Sequence, residues 1–150
     1  MGNRKKMIET FEKFTEIASY MEAIQKDFPE DIYYLGILED KFLTFQKPEL
    51  SIEENLQLLI KAAVELTTQE APKWEMIAAR LLLFTFEREL RKAEESCQIT
   101  TLYEKIVYLT GRGLYGQYIL ENYTKEEIDE FETFLAPERN DLFTYSGLEL

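Results

Sequence analysis

The stretch "IAARLLLFTF", residues 77 to 86, would be apolar on almost every side of a helix. A helix of this kind is buried on most of its faces. Pro72 fits the first position of the helix, because its missing N–H is not needed there and its ring fixes φ. From Glu87 to Glu95 the same helix becomes charged and should emerge into solvent. The stretch therefore predicts a central buried helix over about residues 72–90.

Three further helix starts carry a capping box, in which a Ser or Thr is followed three residues later by Glu. The three pairs are Ser51 with Glu54, Thr101 with Glu104, and Thr124 with Glu127. Apolar residues at helical spacing follow each pair, and the glycines of "TGRG", residues 110–113, should end the second of these helices. We therefore predict helices that begin just after Ser51, Thr101 and Thr124.

Residues 5–27 form an amphipathic stripe with apolar side chains three and four residues apart, and Pro29 should end this helix. The stripe consists of Met7, Ile8, Phe11, Phe14, Ile17, Ala18, Met21 and Ile24. A second helix should follow with Asp31 as its N-cap. Its apolar side would hold Tyr34, Leu35, Leu38 and Phe42.

The pattern as a whole predicts an all-α fold of six or seven helices, packed as an orthogonal or irregular bundle around the central helix. No segment shows the sustained alternation of a strand, and a strand is conceivable only near Tyr33 or at the C-terminal end. With 150 residues the chain has the length of one domain, residues 1–150.

The composition argues against several classes of partner. The net charge is −12, from 29 acidic and 17 basic residues, and would repel a phosphate backbone, so no nucleic-acid partner is expected. The basic residues Arg4, Lys5 and Lys6 are interpreted as a solvated helix start. No apolar run is long enough for a membrane span or a signal peptide, so we expect no membrane partner and a cytoplasmic location.

No catalytic, cofactor-binding or metal-binding residue is predicted. The chain has no histidine and one cysteine, which excludes the common zinc sites and the Ser-His-Asp and Cys-His nucleophile systems within it. Acidic pairs such as Glu126 and Glu127 are better explained as helix caps and solvated faces. Cys97 lies among acidic residues that should disfavour its thiolate, and we interpret it as structural or incidental.

Two aromatic and glycine patterns are likewise interpreted as structural. The glycines of "GRGLYG", residues 111–116, lack the spacing of a phosphate loop and indicate the end of a helix. Aromatic residues at helical spacing are expected to belong to the core rather than to a platform for bases. They are Trp74, Tyr103, Tyr108, Tyr115 and Tyr118.

The last residues, "ERNDLFTYSGLEL" from Glu138 to Leu150, remain apolar to the end of the sequence. The run from Phe143 to Leu150 suggests the beginning of a helix that another part of a protein should cover. Leu148 and Leu150 are expected to point toward that missing neighbour.

Taken in order, three motifs resemble the N-terminal helical domain of the large (α) subunit of class I ribonucleotide reductase. In that family, a Pro and an aromatic residue precede an "AAR-L" helix. A "Y-T/S-x-E-E" helix start comes next, and then an Arg followed at four and six residues by Phe and Tyr. The matching residues are Pro72, Trp74, Ala78, Ala79, Arg80 and Leu81, then Tyr123, Thr124, Glu126 and Glu127, then Arg139, Phe143 and Tyr145.

The resemblance covers about residues 51–150 and leaves residues 1–50 as a helical extension. One departure is Asn140, where the family usually has Asp, so a charge is lost while a hydrogen-bond acceptor remains. The start of the chain has no counterpart of the ATP cone that many members carry, so regulation through such a cone is not expected.

The resemblance implies a structural domain of a ribonucleoside-diphosphate reductase, which makes deoxyribonucleotides for DNA synthesis. It implies two partners: the remainder of the large subunit, a ten-stranded barrel with the catalytic residues, and the radical-generating small subunit. ATP and dNTP effectors would bind elsewhere, and no cofactor is expected in this chain. The alternative is a stand-alone acidic helical adaptor that binds a basic partner.

Overall fold

A computed structural model of the chain describes residues 15–149. In this part of the chain the fold is all-α, as predicted, and no residue there lies in a strand. The described residues form two compact units. The first contains the described residues up to Thr85 together with those from Asn140 onward, and the second contains Phe86–Arg139.

Eight α-helices lie within residues 15–149, together with 3-10 turns at Asp31–Tyr33 and Pro137–Leu142. They are α1 (Thr15–Asp27), α2 (Leu35–Leu43), α3 (Ile52–Glu65), α4 (Trp74–Cys97), α5 (Leu102–Gly111), α6 (Tyr118–Asn122), α7 (Lys125–Glu132) and α8 (Tyr145–Leu148). The prediction of six or seven was too low, because α6 and α8 are too short to show a helical period in the sequence.

The core of the first unit is built on α4. Trp74 and the residues from Ile77 to Thr85 are buried, with Arg80 partly exposed. Phe86 is exposed, so the prediction that burial extends to Phe86 was wrong. The helix continues to Cys97, so the charged stretch from Glu87 to Glu95 belongs to the same helix, as predicted; its charged residues are good helix formers that need no burial.

Pro72 lies in the turn before α4 rather than in its first helical position. The backbone N–H of Glu75 donates to the carbonyl of Pro72 at 3.2 Å, so a helical turn begins there and α4 continues it from Trp74. Pro72 therefore still begins the helical turn, as predicted, but α4 itself starts two residues later.

The α1 stripe is confirmed in part. Ile17, Met21 and Ile24 are buried in the core, and α1 ends at Asp27, before Pro29. Ala18 is exposed, which makes the buried stripe narrower than predicted. The part of the stripe from Met7 to Phe14, like the basic residues Arg4 to Lys6, lies outside the described residues.

The prediction of Asp31 as an N-cap was wrong. Asp31 begins a 3-10 turn, and α2 starts only at Leu35. The first N–H of α2, on Leu35, donates instead to the Oε1 of Gln25 at 2.9 Å. Local sequence could not reveal this bond, because its acceptor lies on another helix, ten residues back. Leu38 and Phe42 are fully buried, as expected, whereas Tyr34 is exposed.

All three capping boxes are confirmed. Ser51, Thr101 and Thr124 each accept a hydrogen bond from the backbone N–H three residues later, and the Glu at that position accepts one from the cap residue. Reciprocal bonds of this kind satisfy backbone donors that the first helical turn leaves without partners. They fix the starts of α3, α5 and α7.

Candidate protein interface

The first family motif forms part of the core of the first unit. Trp74, Ala78, Ala79 and Leu81 are buried, and the Trp74 ring lies edge-on to Tyr33 with centroids 5.8 Å apart. Small alanines on α4 let neighbouring helices approach it closely. These residues pack in the core, and Arg80 is the polar residue of the motif.

Arg80 joins three parts of the first unit. Its guanidinium forms an ion pair with Asp27 of α1 and lies 5.5 Å from the centre of the Phe28 ring. Its Nε is 3.9 Å from the Oδ1 of Asp141, which belongs to the C-terminal segment. The planar, permanently charged guanidinium suits such simultaneous contacts. Arg80 is therefore a structural link between α1, α4 and residues 140–149.

The C-terminal segment, which was expected to need another part of a protein to cover it, packs in part against the core of the first unit. Tyr145 and Leu148 are partly buried against it. The Ser146 hydroxyl donates to the Oε1 of Glu75 on α4 at 2.6 Å. The first unit thus covers part of the Leu148 side chain, and the expectation that Leu148 points toward a missing neighbour stays a prediction. Leu150 lies outside the described residues.

The second family motif starts α7 in the second unit. Thr124 and Glu127 form its capping box, and Tyr123 before them is exposed. α7 packs on α5. Ile128 of α7 is buried, and the backbone N–H of Leu102 donates to the Oε1 of Glu132 at 3.1 Å. One side of α7 is thereby fixed to α5.

The second unit exposes more large apolar side chains than the sequence suggested. Tyr115 and Tyr118, which we had expected in a core, are exposed. At the C-terminal end of α7 and just after it, Phe131, Phe134 and Leu135 are 59%, 73% and 49% exposed. Apolar residues at helical spacing had been interpreted as core, and that pattern cannot distinguish a buried face from an exposed binding face.

Cys97 is exposed at the end of α4, and its surroundings differ from the acidic ones predicted. A hydrogen bond from the Tyr108 hydroxyl is the main cause that lowers the pKa of the thiol, with smaller contributions from Ser96 and the charge of Arg112. The prediction that acidic neighbours disfavour the thiolate was therefore wrong, because α5 brings a phenol and a guanidinium to it.

The acidic pairs are largely engaged in local contacts. Glu54 and Glu127 complete capping boxes, and Glu94 forms an ion pair with Lys105. Among residues 15–149, no group of three or more acidic or cysteine side chains is arranged to hold a metal ion. No helix in the same range is long and apolar enough to cross a membrane. The exposed apolar side chains of the second unit remain as the candidate functional surface.

Comparison with known proteins agrees with the motifs. No protein-family model matches the chain. The ribonucleoside-diphosphate reductase subunit alpha of Treponema pallidum is 48% identical over 136 residues, which is 91% of this chain. The match therefore extends beyond residues 51–150 into the first fifty residues.

Two more distant alpha subunits match as well. Ribonucleoside-diphosphate reductase 1 subunit alpha of Escherichia coli is 32% identical over 62% of the chain, and the alpha subunit of phage T4 is 27% identical over 73%. The chain spans only 16% of the length of the Treponema relative, 12% of the E. coli one and 14% of the phage one. By sequence, this chain belongs to the family of ribonucleoside-diphosphate reductase alpha subunits, of which it represents one part.

Proposed function

We propose that the chain is the N-terminal helical domain of a ribonucleoside-diphosphate reductase large subunit and that its role there is structural. The observation that carries the proposal is the 48% identity to the Treponema alpha subunit along 91% of this chain. The reaction of the whole enzyme, the reduction of ribonucleotides to deoxyribonucleotides, would take place in the remainder of the subunit.

The residues available in the chain support a structural role. It has one cysteine and no histidine, whereas reduction of a ribonucleotide by thiols needs more than one cysteine. The radical would come from the small subunit, and ATP or dNTP effectors would bind outside this chain. The ion pairs of Arg80 and the bond between Glu75 and Ser146 hold the first unit together.

A segment replacement in the Treponema alpha subunit tests the proposal. The matching segment of that protein is exchanged for this chain, and the reduction of ribonucleoside diphosphates is assayed with the small subunit and thioredoxin. We expect the chimera to be active and the protein with the segment deleted to be inactive. A chimera no more active than the deletion would contradict the proposal.

A further inference from the structure

The last turn of α7 and the residues just after it present three exposed apolar side chains. The N–H of Phe134 donates to the carbonyl of Phe131 at 3.0 Å, and that of Leu135 to the carbonyl of Glu132 at 3.2 Å, so the backbone continues in helical turns past Glu132. Phe131 and Phe134 are three residues apart in turns closed by bonds between residues three apart, so their side chains lie on one face, and Leu135 follows Phe134 directly. We call these three residues the 131–135 face.

The 131–135 face is exposed, whereas other side chains of α7 are held by contacts within the second unit. Ile128 is buried, Glu132 accepts the N–H of Leu102, and Lys125 lies over the Tyr103 ring at 5.7 Å. These contacts fix α7 in the second unit and leave Phe131, Phe134 and Leu135 exposed. Exposed aromatic side chains on a rigid support are typical anchors of protein interfaces.

The surroundings of the 131–135 face are strongly acidic. Six acidic residues and no basic residue lie between positions 126 and 138, with Lys125 and Arg139 just outside this range. Lys125 is already paired with Asp129, which leaves the acidic character of the segment largely uncompensated. A partner with apolar side chains bordered by lysine or arginine would complement both properties.

We infer that the 131–135 face docks into an apolar groove with a basic border on the remainder of the reductase alpha subunit. The inference rests on the proposed function and names the surface of this chain that would contact the remainder of the subunit. Relatives such as the Treponema subunit continue well beyond the matched segment, which fills only 16% of their length, so they contain further chain that could cover this face. A second copy of this chain would bring a second acidic border to the contact and be repelled.

Apolar side chains about one helical turn apart, such as Phe131 and Phe134, are the pattern by which a helical segment inserts into a groove. In that mode Phe134, the most exposed of the three side chains, would be the central anchor, and Phe131 and Leu135 would pack at its sides. Glu130 and Glu138, both exposed, would then lie near the basic border of the groove.

Hydroxyl-radical footprinting by mass spectrometry tests the inference on the intact chain and on the Treponema chimera. Oxidation of Phe131, Phe134 and Leu135 should be several-fold slower in the chimera, because the groove covers them there. Equal oxidation rates in the two proteins would overturn the inference.

Two substitutions on the same turn make a matched pair. In the chimera, Phe134→Glu should return the oxidation of Phe131 and Leu135 toward the rate in the free chain. Thr133→Glu adds the same charge two residues from Phe131 and outside the apolar triad, so it should leave the protection intact. Identical footprints for the two variants would contradict the inference. Circular dichroism of both variants of the free chain verifies that they fold.

A charge reversal tests the basic border of the groove. Glu130→Lys in the chimera should weaken the protection, and added salt should weaken it in the unsubstituted chimera. If neither the Glu130→Lys substitution nor added salt changes the protection, a basic border is excluded.

The footprint and the enzyme assay separate the two proposals. An active chimera with an unprotected face refutes the docking surface alone, and an inactive chimera with a protected face refutes the proposed function alone.

Discussion

At the scale of single residues, Cys97 shows how a neighbouring helix changes the chemistry of a side chain. The acidic residues before it in sequence are solvent-exposed or paired elsewhere, whereas Tyr108 and Arg112 of the following helical segment face the thiol. The Arg112 guanidinium lies 4.9 Å from the centre of the Tyr108 ring, which places its charge close to the phenol and the thiol. The thiolate is stabilised by this environment.

We predict that Tyr108→Phe makes Cys97 less reactive. The Tyr108 hydroxyl is the main cause that lowers the pKa of the thiol, so its removal should raise that pKa and decrease the thiolate fraction at neutral pH. The measurement is the rate of alkylation by iodoacetamide as a function of pH. Ser96→Ala should give a smaller change in the same direction. The prediction fails if the native chain and the chain unfolded in urea show the same pH midpoint.

Gln98 is a second residue of interest, because its backbone adopts a conformation that is unusual for a residue with a side chain. It has a φ of +56°, in the left-handed region that favours glycine. Its N–H donates to the carbonyl of Glu95 at 3.2 Å, and that of Ile99 to the carbonyl of Glu94 at 3.0 Å. This pair of bonds is the Schellman motif that ends α4.

Gln98→Gly should therefore stabilise the protein by about 1 kcal/mol, because glycine adopts the left-handed conformation without a steric cost. Gln98→Ala keeps a Cβ atom at the same backbone position and serves as the control. Urea unfolding measures both variants. A glycine variant no more stable than the alanine variant would show that the strain at this position is negligible.

At the scale of helices, the capping boxes connect stability to pH. Backbone and side-chain hydrogen bonds from Thr100, followed by the backbone N–H of Thr101, hold the pKa of Glu104 below its ordinary value of 4.5. A carboxylate with a lowered pKa in the folded state binds fewer protons there than in the unfolded state. Its stabilising effect is thus present above the ordinary pKa and lost as the pH falls through the lowered one.

We expect the start of α5 to loosen at acidic pH for this reason. Between neutral pH and the ordinary pKa, the amide protons of Thr100 and Thr101 should stay protected from exchange, and below it their protection should fall. The Glu104→Gln variant should show a flatter profile, because glutamine does not titrate. Coincident profiles for the two proteins would argue against the assigned role of Glu104. Amide exchange followed by NMR provides the measurement.

The helices also show what sequence can and cannot predict. The Ser51, Thr101 and Thr124 boxes were predicted because all of their bonds form within four residues. The start of α2 was missed because the bond from Leu35 to Gln25 depends on how two helices pack. The 131–135 face was missed for a similar reason: apolar spacing indicates a face but not what covers it. Hydrogen bonds between residues close in sequence can be predicted from the sequence, whereas contacts between distant residues cannot.

At the scale of the molecule, the chain returns to its first unit after completing the second. Residues 140–149 contribute Tyr145 and Leu148 to the surface of the core, and Asp141 and Ser146 contact Arg80 and Glu75. The contacts connect residues more than 60 positions apart in sequence. The first unit therefore depends on a segment that is distant along the chain.

Leu148→Ala should destabilise the first unit by about 1 to 2 kcal/mol, less than a fully buried leucine, because the side chain is only partly buried. Hydrogen exchange should accelerate in the described residues up to Thr85 and stay unchanged in residues 86–139. Leu142→Ala is the control, since Leu142 is 75% exposed and its removal should change stability by less than about 0.5 kcal/mol. Equal effects of the two substitutions would disprove the packing role of Leu148.

The interrupted first unit has a consequence for synthesis on the ribosome. Chains are made from the N-terminus, and units of contiguous sequence can fold as soon as they emerge. Residues 86–139 meet that condition, whereas the earlier part of the chain must wait for Tyr145 and Leu148 to leave the exit tunnel. The unit whose translation starts first is thus the one completed last. While residue 139 has left the exit tunnel and Leu148 has not, the ribosome carries a finished second unit and an unfinished first one.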